Sequence, residues 1–373
     1  MFNPLRLKLA RERRGLSKKA LAELVQLSPK TVSAYESENP PFDLQDETVS
    51  RFAMALGYPV KFFYKDRVEL IDADTISFRA VTKLPSKLRL ASESASILAY
   101  EISCWLDRKF NNLPKVDLPD FTHDNRHEPE AASKELRVNW GIGELSVKNM
   151  VHLLESKGIR VFSLSEDCKE VDAFSFWKGN TPFIVLNQFK TPERSRFDAA
   201  HELAHLVLHR HGEQNKGREA ELEADKFASA FLMPKGSIAS KVRPNANATL
   251  DDLIKLKKFW NVSLMAMIRR LYDLNYLTEW QYRQLTISAS KRGYRTSEPD
   301  GLQTREQSLL LGKIFTALKS KGISRTDIAN ELALPFDEVA NLTFDNPMFK
   351  LNVAGGNPYL EKATARANLS LIK

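Results

Sequence analysis

Apolar residues recur at helical spacing along most of the chain, and alternation of period two is confined to one short stretch. Residues 1–66 predict five short helices. The first starts near Pro4 and stops at Gly15. Ser17 is placed to cap the second, KKALAELV. Ser28 is placed to cap the third, with Pro29 at its first position, where a missing N–H is no loss. NPP at 39–41 interrupts the pattern. DETVSRFAMALG then predicts a fourth, amphipathic helix ending at Gly57, and Pro59 opens a short aromatic segment, VKFFY. Residues 67–91 predict irregular, extended chain, and ESASILAYEISCWLDRKF predicts a long helix near 92–110. Residues 113–130 hold three interior prolines and read as a linker or a surface-hugging loop.

The character changes at residue 131. Two helices, about 131–139 and 145–157, lead through Gly158 into IRVFSL, a β-branched strand. DAFSFWKGNTPFIVLN alternates, turns at KGNTP and alternates again, which is a hairpin pattern. Two more helices follow, about 193–210 and 217–232, and the remainder to residue 373 is mostly helical. The expected fold class is mostly α with a small β-sheet. The expected units are 1–66, a connector with a long helix at 67–130, an α+β body at 131–240 and a helical C-terminal region at 241–373.

Composition narrows the class without adding chemistry. Hydrophobic residues make up 43% and charged residues 27%, as in globular rather than disordered chains. The formal charge of +8 is mild for 373 residues. Two separated cysteines, Cys104 and Cys168, match no metal spacing and suit a reducing compartment. The start MFNPLRLKLARERR lacks the apolar core of a signal peptide, and no run approaches the roughly 18 apolar residues of a membrane span. A cytoplasmic protein without membrane partners is expected.

The candidate chemistry lies in FDAAHELAHLVLH, residues 197–209. Apolar positions 197, 200, 203, 204, 207 and 208 define a buried stripe. His201 and His205 lie one turn apart and project to one side, where a zinc ion could bridge them. Glu202 can face the same ion and take a proton from water. A hydrolytic zinc needs a third protein ligand. His211 has the spacing of a metzincin third histidine, but Leu208 stands where the required glycine would be. His209 should point past the ion, and His209 and His211 read as exposed polar residues. The better candidate is Glu221 in ELEADKFASAFLMP, with Asp225 four residues on as hydrogen-bond acceptor for the outer nitrogen of a ligand histidine. Glu223 is the runner-up, turned about 200° away on the helix. His123, His127 and His152 read as structural or surface residues.

The segments RFDAAHELAHLVLH, ELEADKFASAFLMP and VFSLSEDCKEVDAFSFWKGNTPFIVLN together resemble the ImmA/IrrE family of zinc-dependent metallopeptidases. The resemblance covers about 131–240. It implies a gluzincin-like site with His201, His205 and Glu221 as Zn2+ ligands and Glu202 as catalytic base. It also implies substrates that are repressor-type proteins, cut to relieve repression. The hairpin near 173–187 could supply a strand edge for an extended substrate.

Residues 5–57, around ALAELVQLSPKTVSAYESE, resemble the helix-turn-helix of the XRE, lambda-repressor/Cro-like family. Arg11 and Glu36 match the pair that ties helix one to helix three in that family, and Leu7, Ala10, Leu16, Leu21, Ala22, Val32 and Tyr35 would fill its core. The first forty residues carry eight Lys/Arg against four Glu, a net of +4. The resemblance implies DNA contact through Lys30, Thr31 and Ser33 in the major groove and Lys18 near a phosphate. Pro29 and Ala34 stand where better-known readers place amides, so a protein-binding role, holding a partner repressor, is also open. Such modules often dimerise on two half-sites, so a homodimer is a further expectation. VELIDADTISFRAVTKLPSKLR looks like the connector of longer members, and residues 322–344 have the rhythm either of a second helix-turn-helix or of two packing helices. The combined reading is a zinc endopeptidase and transcription regulator. Its rival is a non-enzymatic DNA-binding regulator or antitoxin that keeps the peptidase fold as scaffold.

Overall fold

Side-chain caps set most of the helix boundaries in the N-terminal head. Asn3 accepts from the Leu5 amide at the start of α1 (Pro4–Arg13), Ser17 from Ala20 at α2 (Lys18–Leu24), and Ser28 from Thr31 at α3 (Pro29–Tyr35). Helix α4 (Asp46–Leu56) stops at Gly57, whose φ of +68° suits a residue without Cβ. The aromatic segment forms a 3-10 turn at Val60–Tyr64, not a fifth α-helix, because Pro59 and five residues allow little more than one turn. Leu7, Ala10, Leu21, Ala22, Val32, Phe52 and Phe62 are fully buried between these elements, with Leu16 and Tyr35 packed at the margin. The computed structural model describes residues 1–37, 44–66, 68–71, 77–78, 85–122, 128–164, 173–210, 217–243 and 248–349. The expected positions Cys168, His123, His127 and His211 lie outside the described residues.

Strand β1 (Ser77–Phe78) precedes the long helix α5 (Ser86–Lys109). Helix α5 begins six residues before the expected start. Pro85 sets an extended entry, and the first turn, SKLRLA, is helix-forming but too polar to show periodicity. It packs against α1. The proline-rich stretch after it hugs the body: the amides of Asp117 and Phe121 donate to the carbonyls of Lys157 and Val207.

The body contains α6 (Pro129–Asn139), α7 (Met150–Ser156), β2 (Arg160–Leu164), β3 (Phe174–Lys178), β4 (Thr181–Asn187), α8 (Pro192–Leu208) and α9 (Arg218–Leu232). Helix α7 is shorter than expected, because turns follow α6 and Asn149 caps at His152. Between α7 and β2, Gly158 has φ +80°. A Cβ there would lie 2.4 Å from the Lys115 carbonyl oxygen, so the site accepts only glycine. The sheet runs β1-β3-β4-β2. β2 is parallel to β4, and the β3–β4 and β1–β3 pairs are antiparallel. The expected hairpin is present. The strand at 77–78 was not expected, and it pairs with Ser175 and Phe174, so the outer edge of β3 is already covered at that register.

Beyond the body run α10 (Lys235–Ala239), α11 (Leu250–Lys257), α12 (Leu264–Asp273), α13 (Glu279–Lys291), α14 (Leu309–Ser320), α15 (Arg325–Leu332) and α16 (Phe336–Leu342). Buried carboxylates tie this region to the body. Glu155 of α7 accepts from Ser308 Oγ and from the amides of Leu309 and Leu310 at the start of α14. In return, Glu306 accepts from the amides of Met150 and Val151 at the start of α7, and from Arg196 of α8. Helix ends leave amides unsatisfied; α7 supplies the acceptor for the start of α14, and the segment just before α14 supplies the one for the start of α7. Helices α15 and α16 pack rather than project. Glu338 of α16, with no exposed surface, accepts from Arg13 Nε at 2.6 Å, and the Asn341 carbonyl accepts from Ser163 Oγ of β2 at 2.6 Å. Among the described residues, no helix is long and apolar enough to cross a membrane.

Candidate metal centre

Helix α8 is anchored by Thr191, which accepts from the Arg194 amide, and by Pro192 at the first position. It packs against β3 and β4 and against α9, so its central turns are buried on all sides. His201 and Glu202 are 0% and 1% exposed. Imidazole and carboxylate side chains seldom occupy such depth without partners.

The partners are specific. His201 Nε2 and His205 Nε2 lie 3.1 Å apart, and Glu221 of α9 places Oε2 3.4 Å from the first and Oε1 3.5 Å from the second. Three ligand atoms tetrahedrally bound to zinc at about 2.0–2.1 Å would stand roughly 3.3 Å apart. The donor set therefore fits zinc in type, two imidazoles and one carboxylate, and in spacing. Burial pushes His205 down to about 4, leaving it neutral. For Glu221 burial opposes ionisation, but hydrogen bonds with His201 and His205 outweigh it and hold the carboxyl at about 2. Among the described residues, His201, His205 and Glu221 are the His/Cys/Asp/Glu group that could hold a metal ion.

Glu202 stands beside this trio. It accepts a 2.7 Å hydrogen bond from Ser175 Oγ of β3. Burial raises its carboxyl to about 7, while His201 and the Ser175 bond pull the other way. Sequence reasoning passed over Ser175. The signal was there: one small polar residue between Phe174 and Phe176 in a strand otherwise apolar at that point.

Asp225 Oδ1 lies 2.9 Å from His201 Nδ1, the nitrogen turned away from the trio. The surface reading of His209 is overturned. Its side chain is only 6% exposed, its Nδ1 is 3.0 Å from His205 Nδ1, and its Nε2 is 2.9 Å from Glu223 Oε2. His209 is the C-cap residue, with φ −124° and ψ 29°; four residues beyond His205, it meets that ring instead of passing it. Glu223, turned away from the trio, meets His209. His152 on α7 is half-buried.

In the head, Arg11 and Glu36 form a bidentate pair, Nε–Oε1 at 2.5 Å and Nη2–Oε2 at 2.9 Å. The four groups expected at DNA do not stand alike. Lys18 Nζ donates to Ser33 Oγ at 2.9 Å and lies 3.7 Å from Glu36, so these two side chains engage each other. The Thr31 and Ser28 hydroxyls are 2.7 Å apart. Lys30 is exposed at the start of α3.

No curated protein matches the chain. Two family models do. Residues 7–63 match the family described as helix-turn-helix, and residues 154–272 match the family described as IrrE N-terminal-like domain, a peptidase family. The chain thus joins a helix-turn-helix, DNA-binding type of head to an IrrE/ImmA-like, metallopeptidase-type domain.

Proposed function

We propose that this protein is a zinc-dependent endopeptidase and transcription regulator that cuts a peptide bond in a repressor-type protein. The observation that carries the reading is the spacing of His201, His205 and Glu221 donor atoms, 3.1–3.5 Å, at the apex of two packed helices. In this reading those three side chains hold the ion, Asp225 orients His201, and Glu202 stays uncoordinated as the base. The working units are the head at 1–66, the connector at 67–130, the peptidase at 131–240 and the helical region at 241–373.

Bound at this site, zinc would supply Lewis acidity toward both the attacking water and the scissile carbonyl. The protein's own contribution is proton handling. Glu202 takes the proton of the attacking water and hands it to the leaving amine. Ser175 fixes one carboxylate oxygen of Glu202, so the base does not swing between turns of the reaction. Burial keeps bulk water from competing for that proton. The head would carry the enzyme to DNA, with Lys30, Thr31 and Ser33 at the groove and Lys18 near the backbone.

The rival, a regulator that retains the fold as scaffold, has no use for a buried base hydrogen-bonded beside the trio. Metal analysis of the full-length chain, with cleavage assays on candidate repressors, separates the two. The parent should hold one zinc and cut at one site. Glu202→Gln should keep the zinc and lose cleavage by about 100-fold or more, and Glu221→Ala should lose the zinc. Near-parental cleavage by Glu202→Gln, or zinc lost from His211→Ala but kept by Glu221→Ala, would overturn the assignment.

A further inference from the structure

The two histidines of the trio are supported differently on their outer sides. Both present Nε2 to the common centre, so Nδ1 is the outer nitrogen of each ring. Behind His201, among the described residues, stands the carboxylate of Asp225. Behind His205 stands a two-residue chain: Nδ1 of His209 at 3.0 Å, and then, from Nε2 of His209, Oε2 of Glu223 at 2.9 Å. The His205 and His209 rings have centroids 5.0 Å apart and are tilted by 50°.

Proton placement gives this chain a direction. A ring that offers its Nε2 lone pair to a metal carries its proton on Nδ1. His205 Nδ1–H then donates to His209 Nδ1, which must be the bare nitrogen. The proton of His209 therefore sits on Nε2 and donates to the Glu223 carboxylate. Every donor meets an acceptor. In the reverse arrangement the proton of His209 sits on Nδ1. That forces the His205 proton onto Nε2, against the other donors, and sets the Glu223 oxygen against a bare ring nitrogen. The carboxylate at the far end thus selects the tautomer two rings away.

Building on the metal-site reading above, we propose that His209 and Glu223 are positioning residues for His205, an outer chain that fixes its ring and tautomer for metal binding as Asp225 does for His201. Glu221 and Glu223, two residues apart on α9, then serve the same centre from different distances: one from inside the trio, the other through two imidazoles.

The test is zinc affinity of the full-length protein, measured by competition with a chromophoric chelator. Glu223 is on the helix surface, its side chain 41% exposed, so Glu223→Ala leaves folding intact. Thermal unfolding of the zinc-free forms checks this. Glu223→Ala and His209→Ala should each weaken zinc binding roughly 10- to 100-fold. The double variant should bind no more weakly than His209→Ala alone, because the two act in series. Parental affinity, within about twofold, in Glu223→Ala with the fold retained would overturn the proposal, as would full additivity in the double variant. Failure of the metal-site reading looks different: the parent itself would take up no zinc, or His205→Ala would keep it.

Discussion

Ser175 Oγ and Glu202 Oε2 are 2.7 Å apart, a buried hydrogen bond that ties the second residue of β3 to the middle of α8. A hydrogen bond to a charged group is worth about 1.5–3 kcal/mol, and one that steadies a base acts on turnover. Ser175→Ala should therefore cut kcat by about tenfold or more while zinc content stays at one per chain. Zinc content and steady-state cleavage, read on the same preparation, check this.

The pairing of Arg13 with Glu338 spans almost the whole chain and is dry, with side chains 4% and 0% exposed. Removing Glu338 takes the buried carboxylate from Arg13 and also from Arg14 and Tyr58, 3.6 and 3.4 Å from its Oε2. Glu338→Ala should lower unfolding stability by about 3–5 kcal/mol. Arg13→Met combined with Glu338→Leu should recover most of that loss. Denaturant unfolding of the three proteins gives the answer.

Glu155 supplies a pH signature remote from the metal centre. Burial raises its carboxyl to about 7 against an ordinary 4.5, although Ser308 and the amides of Leu309 and Leu310 favour the charge. The folded state thus keeps a proton that the unfolded chain releases between those values. Its share of stability is full below about 4.5 and is lost as pH rises through about 7. The melting temperature of the parent should fall over that window more steeply than that of Glu155→Gln. Subtracting the two curves removes the other titrating groups.

On the head, Lys30 is the exposed cation at the start of α3, whereas Lys18 is held by Ser33 and Glu36. Lys30→Ala should weaken DNA binding and, if it meets a phosphate, lower the salt-dependence slope by about one. Lys18→Ala should instead perturb the α2–α3 contact. Gel shifts across a salt series discriminate the two, and an unchanged slope with relaxed sequence preference would place Lys30 at a base.

The site was legible in sequence where one helix carried it. His201, Glu202 and His205 lie within five positions of a periodic, capped segment, and helical geometry alone decides where they project. Glu221 needed a second helix, and its spacing from Asp225 and the turn of Glu223 away on the helix were what selected it. What escaped was whatever depended on packing between elements. His209 reads as an exposed polar residue one turn past His205 that points beyond the ion, and only the approach of Glu223 from α9 gives it two partners. Glu338 lies in the first turn of α16, and only a fold that returns the chain to Arg13 makes it a buried counter-ion. Strand β1 is two residues long, below anything alternation can mark.

The placement of α16 bears on how this protein can be taken apart. Trp105 and Lys65 find acceptors at Glu331 and Leu332, while Ser163, on the edge strand β2, donates to the Asn341 carbonyl and accepts from the Phe344 amide. A minimal enzyme trimmed after residue 320 would take Glu331 from Trp105, Asn341 and Phe344 from Ser163, and Glu338 from Arg13, while Lys65 would keep Glu101. The shortest truncation that respects the observed anatomy retains everything through Phe349, and a head excised alone would need its underside redesigned with polar side chains.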